Sequence, residues 1–411
     1  MILKDRSIVL GVTGGIAAYK AAALCSHLVK AGAVVDVILT DAAREFITPL
    51  TFQALTHRPV IIDMFALLAE TEIGHVSLAQ RADLVIIAPA TANTLAKLAT
   101  GLADNMLTCT VLATTAPLLL APAMESHMWT NPLTQANMAR LRAQRDVTVI
   151  GPKEGRLASG AIGPGRMAEP EEILDAAHWV LARRGPLAGR QVVVTAGGTR
   201  EPLDPIRFLG NRSSGQMGYA LARAARDQGA RVTLITTTGQ PPPFGVEWIS
   251  VETAAEMGET VLDRLPDTDL LLMAAAVADY RPATVAEHKI KKSEVERTIA
   301  LVRTIDILSQ VAERRRADQV IVGFAAETED LMLHARDKLH RKKLDLIVAN
   351  DARQAMGAAV SQVVLISADG SVEELPLLPK EEVANRILDR VMNLLPKRPP
   401  ADPAPGSGGI R

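Results

Sequence analysis

Short apolar runs alternate with helix-length amphipathic segments along this chain, and midway the alternation starts again. In the first half the runs are Ser7–Val12, Val34–Leu39, Leu84–Ala88, Leu118–Ala121 and Val147–Ile150, with helical composition in stretches such as Ala17–Lys30 and Asn93–Ala99. The second series is Gln191–Thr195, Arg231–Thr236, Leu270–Ala274, Gln319–Gly323, Leu344–Val348 and Val363–Ile366. Continuous apolar strands separated by helices mean parallel sheets buried on both faces. The expected fold class is α/β, two doubly wound domains, each a mostly parallel sheet with helices on both faces. A chain of 411 residues is too long for one ordinary core. Gly185-Pro186 begins the break, so the expected domains are 1–185 and 186–396, and the Pro-, Gly- and Ala-rich tail 397–411 is expected to be disordered.

Residues 195–218, TAGGTREPLDPIRFLGNRSSGQMG, follow the first strand of the second series and precede a helix-like segment beginning near Tyr219. A long loop at the carboxyl end of a buried strand is where an open α/β sheet puts its ligand. Gly197, Gly198, Gly215 and Gly218 let the backbone approach closely. Arg200, Arg207, Arg212, Ser213 and Ser214 offer donors to a phosphate.

In the first half, Gly11-Val12-Thr13-Gly14-Gly15-Ile16 joins the first strand to the first helix. Backbone N–H groups at such a helix start suit a phosphate, a signal many nucleotide folds share. The spacing is not G-x-G-x-x-G, and the second strand ends at Thr40 rather than at an acid, although Asp41 follows. A dinucleotide site prefers a carboxylate there for the ribose. Both features favour FMN over NAD and argue against an NAD(P) oxidoreductase built from two Rossmann-like domains.

A net charge of −1 gives no support for general nucleic-acid or anionic-membrane binding. No run of about 18 apolar residues suggests a membrane span. Cys25 and Cys109 form neither a disulfide framework nor a zinc pattern and fit a reducing cytoplasm.

Residues 195–218 resemble the signature of phosphopantothenoylcysteine synthetase, the ligase of coenzyme A biosynthesis, which in bacteria is usually fused behind a flavin-dependent decarboxylase. The first half is similar to that decarboxylase family over about residues 5–180. The likeness rests on Gly74-His75, Pro89–Thr94, Gly101–Asn105, Pro122–Trp129 and Gly163–Met167, in that order. The resemblance implies a flavodoxin-like flavoprotein domain followed by a Rossmann-like ligase domain, cytoplasmic and homo-oligomeric, with flavin sites at subunit contacts. It implies that FMN oxidises the cysteine moiety of phosphopantothenoylcysteine to a thioaldehyde, that carbon dioxide leaves, and that the enethiolate is then reduced to the thiol. His75 is implied as the catalytic base, which suits an imidazole near neutral pH. Gly14, Gly15, Ile16, Thr40, Thr91, Ala92 and Asn93 are implied as FMN contacts and Met128 as a substrate contact.

Two positions depart from the decarboxylase pattern. Glu125 stands where the family usually has Asn, and Ser159 stands at the family's cysteine proton donor. A serine hydroxyl is a far weaker acid than a thiol of pKa about 8.5. Either Glu125 or water supplies the proton, a raised-pKa carboxyl being a reasonable acid, or the half reduces poorly, or it binds flavin without completing the chemistry. The last case leaves an active ligase beside a regulatory or structural flavin-binding half.

In the second half, resemblance over about residues 188–393 implies that CTP activates the carboxylate of phosphopantothenate as an acyl-cytidylate and that cysteine's amine displaces CMP. Mg²⁺ is expected with the CTP. The implied nucleotide contacts are Met273, Ala274, Ala275, Asp279, Lys289 of the Lys289-Ile290-Lys291-Lys292 motif, Ile305, Asp306, Ile307, Leu308, Phe324, Lys338 and Lys342. Lys289 is implied to stabilise the acyl-cytidylate and Asn211 to contact it. Arg207, Ser213 and Ser214 are expected substrate contacts. Ile305–Leu308 departs slightly from the family's Pro-Asp-Ile. Glu327 is read as an acid at a helix start, fit to help hold a divalent cation; no metal ligand set is otherwise legible.

Overall fold

A computed structural model describes residues 2–64, 74–291, 298–327, 329–351 and 360–397, excluding the side chains of Glu327 and Asp351. The tail from residue 398, Lys292 and Thr328 lie outside the described residues. The chain divides into two compact units, Met1–Ala182 and Arg183–Arg411.

In the first unit, β1 (Ser7–Val12), β2 (Val34–Leu39), β3 (Leu84–Ala90), β4 (Leu118–Pro122) and β5 (Val147–Val149) form a parallel sheet in the order β2-β1-β3-β4-β5. The helices are α1 (Ala18–Lys30), α2 (Asp41–Arg44), α3 (Pro49–Thr56), α4 (Gly74–Arg81), α5 (Ala92–Thr100), α6 (Met106–Ala113), α7 (Ser126–Thr130), α8 (Pro132–Gln144) and α9 (Pro170–Ala182). Val9, Val85, Ile87, Leu118 and Leu120 pack against Leu95, Leu107 and Leu141 of α5, α6 and α8. Alternate residues such as Ile8, Leu10 and Ile86 are directed to the opposite face, where α1 and α9 pack. Burial on both faces explains why these strands carry no polar alternation. The glycine-rich stretch at residues 157–166, expected from its composition to be a loop, is instead part of an antiparallel ribbon of β6 (Lys153–Arg156) and β7 (Ile162–Arg166). Gly and Pro are depleted in strands, so composition hides a ribbon that buries little.

The second unit contains β8 (Gln191–Ala196), β9 (Arg200–Pro202), β10 (Phe208–Gly210), β11 (Arg231–Thr236), β12 (Glu247–Ser250), β13 (Leu270–Met273), β14 (Tyr280–Pro282), β15 (Leu301–Arg303), β16 (Val320–Glu327), β17 (Leu346–Asp351), β18 (Val360–Ser361), β19 (Val364–Ser367), β20 (Val372–Glu374) and β21 (Leu378–Pro379). Its helices are α10 (Gln216–Asp227), α11 (Ala254–Arg264), α12 (Ile307–Arg314), α13 (Leu331–Arg341) and α14 (Lys380–Met392). The sheet order is β12-β11-β8-β13-β16-β17-β19-β20, parallel through β17 and antiparallel beyond it. On one face Val192, Val194 and Leu272 pack against Leu221 of α10 and Ile387 of α14. On the other, Val193, Leu271 and Ile321 meet Val261 of α11, Val311 of α12 and Leu339 of α13. Truncating one such side chain to Ala costs about 2–5 kcal/mol.

Both sheets have a topological switch point, where neighbouring strands send their connections to opposite faces and leave a crevice at the carboxyl ends. It falls between β1 and β3 in the first unit and between β8 and β13 in the second.

Candidate active sites

At the first switch point a cavity of about 820 Å³ is lined by segments far apart in sequence. Gly14, Gly15 and Ile16 follow β1, Thr40 follows β2, Thr91, Ala92 and Asn93 follow β3, and Glu125 and Met128 follow β4. Local chemistry fixes these loops. Thr40 caps α2, its Oγ1 accepting from Ala43 N–H at 3.3 Å, and Thr91 caps α5, accepting from Thr94 N–H at 3.4 Å. Such caps satisfy helix-start donors and hold each hydroxyl at the cavity wall. Buried Thr13 ties the first loop to the third. Its Oγ1 donates to Pro89 O at 2.7 Å and accepts from Thr91 N–H at 3.3 Å. A Cβ on Gly14 would meet the Ala42 carbonyl carbon and oxygen at 2.8 Å, whereas one on Gly15 would meet only Thr91 Cγ2 at 3.9 Å. Gly15 thus leaves room on the ligand side.

The tip of the β6–β7 ribbon reaches the same cavity with Arg156, Leu157, Ala158 and Ser159. The ribbon's base is fixed where Met124 N–H donates to Gly165 O at 3.1 Å. Glu125 caps α7. Its Oε2 accepts from His127 N–H at 2.7 Å and from Met128 N–H at 3.4 Å. Arg166 pairs with Glu169, close by in sequence, at 3.1 Å. Glu169 also meets Lys20 at 2.8 Å, and the Lys20 hydrogen bond draws its carboxyl below the usual range against the opposing effect of burial. His75 is on α4 and is not among the cavity-lining residues. Its Nδ1 is enclosed and has no hydrogen-bond partner among the described residues. Thr13, Lys20, Lys97, Asp104 and Arg156 also line the cavity. Thr13 was legible within Gly-Val-Thr-Gly-Gly, but nothing local in sequence marks Lys20 or Arg156.

At the second switch point the loops after β8 and β13 are laced together. Ala276 N–H donates to Gly197 O at 2.8 Å and Thr199 N–H to Ala276 O at 3.2 Å. Thr195 Oγ1 accepts from Ala275 N–H at 3.0 Å, and Thr199 Oγ1 accepts from Ala278 N–H at 2.9 Å. Asn211 Nδ2 donates to Ala276 O at 3.3 Å and Val277 O at 3.1 Å. Gly198 permits this approach, since a Cβ there would meet Asn211 O at 2.6 Å. Thus Met273, Ala274, Ala275 and Asn211 come together at the crevice. Ser213 follows Asn211, its Oγ accepting from Gly215 N–H at 3.4 Å before α10, and exposed Ser214 lies between them. Asp279 O accepts from Thr304 N–H at 2.9 Å, which brings Ile305, Asp306, Ile307 and Leu308 beside the same strand end.

Three of the expected cations, Lys338, Lys342 and Arg207, are already partnered. Lys338 Nζ donates to Phe324 O at 2.8 Å. Lys342, at 8% exposure, donates to Ser309 Oγ at 2.7 Å and pairs with Asp306. Burial works against the ionised Asp306, but Lys342 and the Ser309 N–H more than offset it and lower its pKa. Arg207 pairs with Asp204 at 2.6 Å. Lys289 is exposed. Glu327 ends β16 rather than opening a helix.

Residues 2–181 match the model of the Flavoprotein family, and residues 187–395 match that of the DNA/pantothenate metabolism flavoprotein C-terminal domain. The coenzyme A biosynthesis bifunctional protein CoaBC of Bacillus subtilis (strain 168) is 47% identical over 401 residues, covering 96% of this chain and 98% of that protein. The chain belongs to the CoaBC family. The CoaBC of Vibrio vulnificus (strain CMCP6) is 43% identical over 399 residues, covering 96% of this chain and 99% of its own. The crystal structure of a CoaBC C-terminal domain shares 41% identity, covers 51% of this chain and 97% of that one, and superposes with a TM-score of 0.45. As a CoaBC the chain is a bifunctional enzyme of coenzyme A biosynthesis, with phosphopantothenoylcysteine decarboxylase and phosphopantothenate–cysteine ligase activities. Because the match spans both units, a ligase beside an inert flavin-binding half is not favoured. Among the described residues no helix is long and apolar enough to cross a membrane.

Proposed function

We propose that the first unit binds FMN in the cavity at the β1–β3 switch point and decarboxylates phosphopantothenoylcysteine there, and that the second uses CTP and Mg²⁺ to make that substrate. The observation that carries this is the convergence of segments far apart in sequence on one cavity whose volume lies within the roughly 300–1,000 Å³ of small-molecule sites. Gly14, Gly15 and Ile16 at the start of α1, with the Thr40, Thr91 and Asn93 segments, offer backbone N–H groups and hydroxyls suited to a phosphate and a ring edge. When bound, FMN supplies the two-electron oxidation and return reduction at the cysteinyl carbon–sulfur unit. Met128 orients the substrate beside it, and Glu125 or a water it holds delivers a proton where Ser159 replaces the family thiol.

His75 removes the substrate's proton from a second copy of the chain. Its absence from the lining of the cavity in its own copy supports this, as do exposed apolar side chains at the cavity mouth, Ile16 at 64% and Tyr19 at 62%. The active form is then a homo-oligomer, acting on small molecules in the cytoplasm.

In the second unit the phosphopantothenate carboxylate attacks the α-phosphorus of CTP and pyrophosphate leaves. Cysteine's amine then attacks the acyl carbon and CMP leaves. The Met273–Asp279 and Ile305–Leu308 segments and Phe324 hold the nucleotide, while Lys338 and Lys342 fix its surroundings. Lys289 stabilises charge that grows at the transferring phosphorus, a preorganised electrostatic role. Asn211 orients the acyl group, and Arg207, Ser213 and Ser214 lie on the substrate side. Mg²⁺ supplies neutralisation of the triphosphate.

The test is twofold. The purified protein should show a bound-flavin visible spectrum with FMN recovered on denaturation. It should release pyrophosphate from CTP, with phosphopantothenate and before cysteine is added, faster than from ATP. A colourless protein, or release that needs cysteine, overturns the respective half.

A further inference from the structure

Asp204 lies in the turn between β9 and β10, yet its side chain is 0% exposed. Enclosing a carboxylate is costly unless it is paired and hydrogen-bonded. Its two oxygens have different partners. Oδ1 accepts from Ile206 N–H at 2.9 Å and Arg207 N–H at 2.8 Å, the bonds any Asp-initiated turn makes. Oδ2 accepts from Arg207 Nε at 2.9 Å and Nη2 at 2.6 Å, and from the N–H of Ile290 at 3.1 Å. Arg207 Nη2 also donates to Ile290 O at 2.6 Å. Both ends of residue 290 are therefore gripped by one aspartate–arginine pair, and Ala286 N–H donates to Leu203 O at 3.0 Å close by. Burial opposes ionisation of Asp204, but the Arg207 guanidinium and three backbone N–H groups overcome it and hold the carboxyl well below the usual range. The turn needs only Oδ1, so Oδ2 is available for a distant segment.

We infer that Asp204 is a positioning residue for the CTP-dependent step: through Oδ2 and Arg207 it fixes residue 290 and so aims the adjoining Lys289 at the activated carboxylate. This rests on the role proposed above for Lys289. It also gives Arg207 a second duty, since Nε and Nη2 are engaged in the clamp.

Asp204→Asn keeps an oxygen for the turn and removes the charge that holds Arg207. Pyrophosphate release should fall about tenfold in kcat with KM for CTP within about twofold, since small misplacements of a catalytic group cost up to about 10²-fold. Tryptic cleavage after Lys289 and Lys291 should quicken while the protein stays folded and cleavage elsewhere is unchanged. Added to Lys289→Gln, Asp204→Asn should slow the reaction no further. Ile290→Pro removes the N–H from which Oδ2 accepts, leaves the Asp204–Arg207 pair, and should reproduce the loss in kcat if Asp204→Asn does not fold, with cleavage read after Lys291 alone because trypsin does not cut before proline. Additive losses in the double variant, or unchanged cleavage and kcat, overturn the inference. A wild-type rate in Lys289→Gln alone overturns instead the reading of Lys289 on which it rests.

Discussion

In the first unit the loops after β1, β3 and β4 meet the tip of the β6–β7 ribbon around a cavity walled by small residues and helix caps. In the second, the loops after β8 and β13 are joined to each other by backbone hydrogen bonds, and charged side chains hold the neighbouring segments: Lys342 on Asp306, and Asp204 and Arg207 on residue 290. Both start from a switch point, but they finish differently. A flavin kept through many turnovers calls for a preformed shape. Under the function proposed above, a triphosphate that must enter, react and leave calls for placed charge, and these ion pairs would do the placing.

The contrast can be broken variant by variant. Lys289→Gln should cut pyrophosphate release about 10²–10³-fold, the range for losing one preorganised charge-stabilising group. Decarboxylation of supplied phosphopantothenoylcysteine should be unchanged, as a coupled assay would show. Glu125→Gln keeps an acceptor for the α7 cap and removes the ionisable group. Reduced product, followed by mass spectrometry, should fall about 100-fold, within the span for general acid catalysis, with flavin content intact. An unchanged yield would exclude Glu125 as the substitute acid.

Smaller effects sharpen the shape argument. Gly14→Ala forces Ala42 to shift, because the new Cβ would meet its backbone at 2.8 Å. Overpacking of this kind costs about 1–3 kcal/mol, so flavin titration should show about tenfold weaker binding while the ligase is untouched. The smallest effect concerns pH. The folded Asp204 carboxyl titrates below its unfolded value, so its contribution is present above about pH 4 and is lost only as pH falls through the depressed folded value. Tryptic protection of Lys289 should accordingly be flat from about pH 5 to 9, once corrected for the protease's own profile.

The strands that define both sheets were legible because burial on two faces leaves continuous apolar runs. Ser7–Val12, Val34–Leu39 and Arg231–Thr236 match in both bounds, and others, such as Val320–Glu327, run further than their apolar stretch. The ribbons escaped notice because Gly163, Pro164 and Gly165, or the Arg and Pro of Arg200–Pro202, carry no such pattern. The cavity-lining set after β1, β2 and β3 could be picked out in sequence since each member sits in a short loop after a strand. The partners of Lys338, Lys342 and Arg207 could not, because Phe324, Asp306 and residue 290 lie far from them along the chain and only the fold brings them near. His75 shows the same limit in another form: its motif is plain, but its absence from the lining of the cavity in its own copy is a property of the folded chain.

The most direct measurement is a single incubation of the purified protein with phosphopantothenate, cysteine, CTP and Mg²⁺, followed by mass spectrometry. Two working sites predict phosphopantetheine as the final product, with phosphopantothenoylcysteine appearing first and then declining. Accumulation of phosphopantothenoylcysteine alone would contradict the account of the first unit, and its absence altogether would contradict that of the second.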